Sequence, residues 1–228
     1  MTQEFPSRRV CGVAMVLGPL LLLTGTLLRS PYNFFFPHQL AAAADHPTLM
    51  TAAYTAFLAG NVLMVPAVIG LARTIGGAWG AWGGIMVVTG LIERTFHSGV
   101  DHAAFSVLRH SGPEAAKEFV ANFYQDQHMF TFLSFTIMFG WYVLAIGAYR
   151  TQGLVRSVTL ATMGLLPLGV LKGTEVVSIV GTAGLCVAFV PLGITWLREA
   201  PRLSRRTVLI AIPATLGVAG LAFLSTLG

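Results

Sequence analysis

Residues 76–105 read GGAWGAWGGIMVVTGLIERTFHSGVDHAAF. Gly76, Gly80 and Gly84 share one helical face, a small-xxx-small spacing that lets helices approach closely in a membrane. The apolar run continues to Ile92. Glu93, Arg94, His97, Asp101 and His102 then fall within ten positions, although only 10% of the chain is Asp, Glu, Lys or Arg. The stretch reads as a membrane helix, expected over 77–97, that carries a dense group of charges at one end.

The remainder of the chain repeats the apolar half. Its 228 residues are 55% hydrophobic, with a mean hydropathy of +0.74, beyond the range of ordinary soluble domains. The fold class expected is all-α: a single polytopic helical bundle spanning 1–228. Seven spans fit, at about 10–28, 50–72, 77–97, 128–149, 154–171, 175–197 and 205–227. The span at 154–171 is the weakest, being short and carrying Arg156 near its start. Pro66, Pro167, Pro191 and Pro213 lie inside spans, where proline bends helices and opens space between them. The N-terminal SRRVCGVAMVLGPLLLL lacks a small-residue cleavage site, so it reads as a retained span anchored by Arg8 and Arg9.

Charge and cysteine exclude several classes. The net charge of +5 is spread over helix ends and forms no basic stripe for nucleic acid. Cys11 and Cys186 fall at different expected depths, which disulfide geometry does not allow. No Cys/His zinc spacing occurs.

Lysine and arginine set the orientation. With the N-terminus inside and the C-terminus outside, Arg8, Arg9, Arg73, Arg150, Arg156, Arg198, Arg202, Arg205 and Arg206 are cytoplasmic. Arg29, Arg94, Arg109, Lys117 and Lys172 remain at outer or intramembrane positions. The same topology sends all six histidines and all three aspartates to the outer half. Chemistry therefore belongs at the outer end, within a membrane expected to be the plasma membrane of a bacterium. Two long outer segments cover that end. Residues 29–49 carry Phe34–Phe36 between prolines, as an interfacial belt or a lid. Residues 98–127 continue the third helix, and Ser111 or Gly112 begins a short helix carrying Glu114.

On a helical wheel, with Glu93 at zero, His97 lies at about 40°, Asp101 at about 80° and Arg94 at about 100°. His102 points to the other side. Glu93 stands about 24 Å up a hydrocarbon core about 30 Å thick. Charge at that depth is a functional hypothesis by default, against the plainer reading of a structural ion pair. Several chemistries compete. Glu93, His97 and Asp101 at i, i+4 and i+8 can chelate a metal, with His128 or His46 completing the shell. His97 and His128 can ligate a haem. A proton-coupled transporter needs polar groups across the whole membrane, and the inner half offers only Asn61 and Thr89.

Acid–base chemistry on a lipophilic substrate fits best, because a carboxyl group in an apolar site can act as a general acid. Tyr32, Phe36, Tyr54, Phe96, Phe123, Tyr124 and Trp141 are available at the right level to line a pocket, and aromatic faces stabilise developing positive charge. His46, Asp126, His128 and Glu175 complete the candidate lining.

The size, the seven-span plan and the carboxylates in an outer pocket resemble the small integral-membrane terpene cyclases. These include fungal meroterpenoid cyclases and actinobacterial cyclases of prenylated indoles. The resemblance covers the overall plan and no specific motif; the chain has neither DDxxD nor DxDD. It implies cyclisation of a prenylated substrate, started by protonation of an alkene or epoxide, without metal or cofactor. Glu93 would then be the principal acid and Asp101 a second acid or relay. His97 would link them, and Arg94 would position them electrostatically. The expected partners are a prenylated small molecule and membrane lipids, with no nucleic acid.

Overall fold

The computed structural model describes residues 6–126, 128–165 and 175–201, with 213, 216, 217, 220 and 221 beyond them. Every described element is helical: α1 (Arg8–Arg29), α2 (Phe36–Asp45), α3 (Pro47–Ile75), α4 (Gly77–Ser111), α5 (Pro113–Gln125), α6 (Met129–Gln152), α7 (Leu154–Ala161) and α8 (Glu175–Glu199). A 3-10 turn, Thr162–Leu165, follows α7. The chain divides into two compact units, Met1–Arg198 and Glu199–Gly228, and the site described below lies in the first.

Four helices are long and apolar enough to cross a membrane: Arg8–Arg29, Pro47–Ile75, Phe132–Gln152 and Glu175–Glu199. They coincide with four of the expected spans. The expected span 77–97 forms the first part of α4. The span expected at 154–171 begins as the eight residues of α7 and tightens into the 3-10 turn; 166–174 lie outside the described residues. Most of 205–227 also lies outside them.

Helix boundaries follow local chemistry. Ser7 caps α1 by accepting from the Val10 N–H at 3.4 Å. Pro37, Pro47 and Pro113 sit in the first turns of α2, α3 and α5, where a missing N–H costs nothing. Gly76 (φ 66°) and Gly112 (φ 88°) make the breaks on either side of α4, in the left-handed region that side chains with a Cβ avoid. Gly112 thus separates α4 from the short helix expected to carry Glu114.

The bundle is held by close approach. A Cβ on Gly83 would stand 2.8 Å from the Leu144 Cα, and one on Gly90 2.8 Å from the Ile137 Cα, so α4 lies directly against the α6 backbone. Gly60 on α3 meets the Leu22 N–H of α1 in the same way, at 2.6 Å. Lipid gives no hydrophobic drive to helix association, so packing of this kind carries it. The Gly80–Gly84 face meets Ala72 of α3 instead. At one end of the bundle, Arg8 lies over Trp196 and Arg150 over Trp79. Arg73 Nη1 donates there to the Pro6 carbonyl at 3.3 Å.

α4 has 35 residues and is therefore about 52 Å long, some 20 Å more than a hydrocarbon core. Its far end, with α2, α5 and the start of α3, builds a second core from Leu40, Met50, Tyr54, Phe105, Leu108 and Val120. This cap is separate from the bundle core around Met15, Met64, Leu71, Leu144, Leu185 and Phe189. Burying each large apolar side chain away from water stabilises such a core by roughly 1.5–3 kcal/mol.

Candidate functional site between bundle and cap

Cavities that carry charged side chains on largely apolar walls lie between the two cores. Arg94, His97, Ser98 and Asp101 of α4 line a 190 Å³ cavity with Arg29, Tyr54, Phe57, Tyr124 and Ile137. A 760 Å³ cavity shares Arg29, Tyr54, Arg94, Asp101, Tyr124 and Ile137, and extends under the cap along Phe34–Phe36, Leu40, Val120 and Met138. Lys117, Ser134 and Ser178 also reach its wall. The volume falls within the roughly 300–1,000 Å³ of small-molecule clefts.

The entrance segment is pinned. Gln39 is fully buried; its Nε2 donates to the Asn33 carbonyl at 2.5 Å, and its Oε1 accepts from the Tyr54 hydroxyl at 3.2 Å. Glu175 Oε1, at the start of α8, accepts from the Phe34 N–H at 2.7 Å. The Phe34–Phe36 run is therefore held at the cavity wall by α3 and α8, in the place where a lid is expected. Phe36 stacks on Phe105 at 6.3 Å.

Arg29 dominates the wall. Its guanidinium lies 4.3 Å from the Phe34 ring centroid, 5.0 Å from Phe57 and 5.2 Å from Tyr54. Its Nε is buried and has no hydrogen-bond partner. Arg94 lies 6.0 Å from the Phe57 ring. Among the described residues, neither arginine forms an ion pair, whereas Lys117 pairs with Glu114 at 2.9 Å on the surface of α5.

Asp101 is the acid on this wall. It lies beyond the expected span 77–97, half-buried under the cap. Burial pushes its carboxyl up to about 7, against the opposing pull of the Arg29 and Arg94 guanidiniums.

Of the expected face of α4, Arg94, His97 and Asp101 line the cavities. Glu93 sits at its edge. It is completely buried between α4 and α6, where Oε1 accepts from Ser134 Oγ at 2.8 Å and Oε2 has no partner. It is not among the residues lining either cavity, as the principal acid would have to be. His102 points away, as expected, and packs edge-on against Tyr54 and Phe105.

Of the remaining expected lining, Tyr54, Phe36 and Tyr124 are on the large cavity. Trp141 is buried deeper, at a 30 Å³ space shared with Asn61, Arg29 and Arg94. The Tyr32 and His46 rings meet at a tilt, with centroids 5.6 Å apart, beside the cap core. Phe96, His97, Phe123 and His128 form one ring cluster, with His97 and His128 6.4 Å apart. Asp126 is exposed at the end of α5. Glu175 holds the lid without lining the cavity. Cys11 and Cys186 are free. Among the described residues, no three His, Cys, Asp or Glu side chains converge as a metal shell would require.

Comparison of the chain with protein-family models, curated proteins and solved structures finds no match. Function must be argued from the cavity itself. Arg29, Phe57, Lys117 and Gln39 were not among the expected site residues, and Phe34 and Phe35 were expected only as part of a belt or lid. A signal for the basic ones was available: the expected topology left five basic residues off its cytoplasmic side, and three of them, Arg29, Arg94 and Lys117, line this one cavity.

Proposed function

We propose that the protein is a membrane enzyme that takes a lipophilic substrate into the cavity between bundle and cap and performs acid–base chemistry on it through Asp101. The observation that carries this reading is an aspartate, able to hold its proton near neutral pH, on the wall of a 760 Å³ cavity whose opposite wall is Phe34–Phe36. The specific reaction proposed is proton-initiated cyclisation of a prenylated substrate. Asp101 gives a proton to an alkene or epoxide, an internal double bond traps the cation, and loss of a proton closes the cycle. Net mass is unchanged. Asp101 takes the role of principal acid because it faces the cavity and Glu93 faces Ser134. The reading places the protein in the plasma membrane with seven spans, N-terminus inside, and the cap outside. The arginine–tryptophan contacts at the opposite end support that orientation.

One observation favours a second reading. Arg29 covers the rings of Phe34, Phe57 and Tyr54, so faces suited to a carbocation already hold a cation. A protein that binds an amphiphile without turning it over fits that arrangement. Membranes incubated with farnesylated aromatic compounds separate the two. The enzyme reading expects an isomer of altered retention time and structure, lost in a folded Asp101→Asn variant. Recovery of every compound unchanged favours the binding protein.

A further inference from the structure

We infer that the cavity between bundle and cap is a site for an amphiphile with an anionic headgroup, a phosphate or carboxylate seated between Arg29 and Arg94, its hydrophobic chain lying under Phe34–Phe36. The inference rests on the reading of this cavity as the ligand site, and not on cyclisation.

The charge balance carries it. Arg29, Arg94 and Lys117 stand on one cavity wall with a single acid, Asp101. Lys117 is already matched by Glu114, which leaves two guanidiniums and one carboxyl on the cavity wall; Glu93, beside Arg94, is engaged by Ser134 and does not reach that wall. Asp101 offsets at most one of these positive charges, and only when ionised. Two guanidiniums held in partly desolvated space without matching anions are costly, and a buried donor left unmade costs more than it would in water. Arg29 Nε is such a donor. A ligand anion supplies the missing charge and the missing acceptor together, and arginine presents the forked donor geometry that carboxylate and phosphate oxygens match.

The shape agrees with the charge. Arg29 and Arg94 also line the 190 Å³ and 30 Å³ spaces on the bundle side of the large cavity. The apolar wall of Phe34–Phe36, Leu40 and Val120 lies on the cap side. A headgroup on the arginines therefore leaves an apolar path for one chain beneath the lid. The cation–ring contacts hold Arg29 in place before the ligand arrives, so little side-chain ordering remains to be done on binding.

The groups facing Asp101 are Arg29 from α1, Tyr54 from α3, Arg94 and His97 from α4, and Tyr124 from α5, with Lys117 on the shared wall. Protonation of Asp101 removes the one negative charge among them. Binding of an anion therefore tightens as pH falls through neutrality.

The test uses the full chain in a non-ionic detergent with hexadecane-1-sulfonate, whose charge is constant across the pH range, and hexadecanol as the neutral control. The sulfonate is expected to bind at least tenfold more tightly than the alcohol. Arg29→Gln and Arg94→Gln each weaken it on the order of tenfold or more and leave the alcohol unaffected. Asp101→Asn tightens it severalfold at pH 8 and hardly at all at pH 5. That gain cannot arise from misfolding. Equal affinity for sulfonate and alcohol, arginine variants that bind the sulfonate like wild type, or weaker binding by Asp101→Asn would overturn the proposal. Competition by phosphatidic acid assigns the site to a bilayer lipid; its absence, with competition by hexadecyl phosphate, assigns it to a single-chain molecule. If anion binding holds and no isomer forms, the cyclisation reading alone has failed.

Discussion

Asp101 titrates near neutrality because the cap desolvates it while two guanidiniums oppose that effect, with a value of about 7 in place of an ordinary 3.8. The perturbation is Asp101→Asn, read by infrared difference spectroscopy of the protonated carboxyl, wild type minus variant, between pH 5 and 9. With a value of about 7, roughly nine-tenths of the carboxyl is protonated at pH 6 and roughly one-tenth at pH 8, so the difference band falls about tenfold over two units. A turnover that needs the protonated form follows the same curve, level below pH 6 and falling tenfold per unit above 8. Stability carries the same signature. The folded-state value is raised, so between about pH 4 and 7 the folded protein holds a proton that the unfolded chain has released. Wild type therefore loses stability as pH rises through that window, by at most about 1.4 kcal/mol per unit, and Asp101→Asn lacks this slope. A difference band already gone at pH 5 would refute the argument, because the guanidiniums would then outweigh burial. So would a pH break in turnover that survives in Asp101→Asn.

Glu93→Gln keeps an oxygen for Ser134 and faces no cavity, so the variant is expected to fold and to bind hexadecane-1-sulfonate like wild type. A folded Glu93→Gln protein that had lost turnover would return the acid role to Glu93. Gly90→Leu drives a side chain into the Ile137 backbone, 2.8 Å from where its Cβ must sit, and costs about 3 kcal/mol or more. Gly99→Ala on the same helix meets nothing within 4 Å and should leave the thermal midpoint unchanged or raise it. Glu175→Ala removes the acceptor of the Phe34 N–H, at a cost of about 1 kcal/mol. Hydrogen exchange at Phe34 should quicken while the bundle core stays protected, and unchanged exchange there would show that Gln39 alone holds the lid.

The bundle was legible because hydrophobic run length and glycine spacing are local properties; α1, α3, α6 and α8 fall where the apolar runs do. The cap was only half legible. Gly112 and Pro113 announce α5, but nothing local in 36–45 shows that Gln39 will be buried and will bind both the preceding turn and Tyr54. The wheel of α4 put Glu93 on one face with Arg94, His97 and Asp101, whereas these three reach the cavities and Glu93 does not. Angle alone cannot rank residues on a face; that depends on which neighbour covers which edge. Here α6, drawn in by Gly83 and Gly90, covers Glu93 and leaves Asp101 to the cavity. The same packing explains Arg29. Taken alone it was one residue against the positive-inside rule. Only when α1 and α4, each packed on α3, bring their arginines to the same cavity does it become half of an arginine pair, so the basic residues that the expected topology left outside were the clearest trace of the site in the sequence.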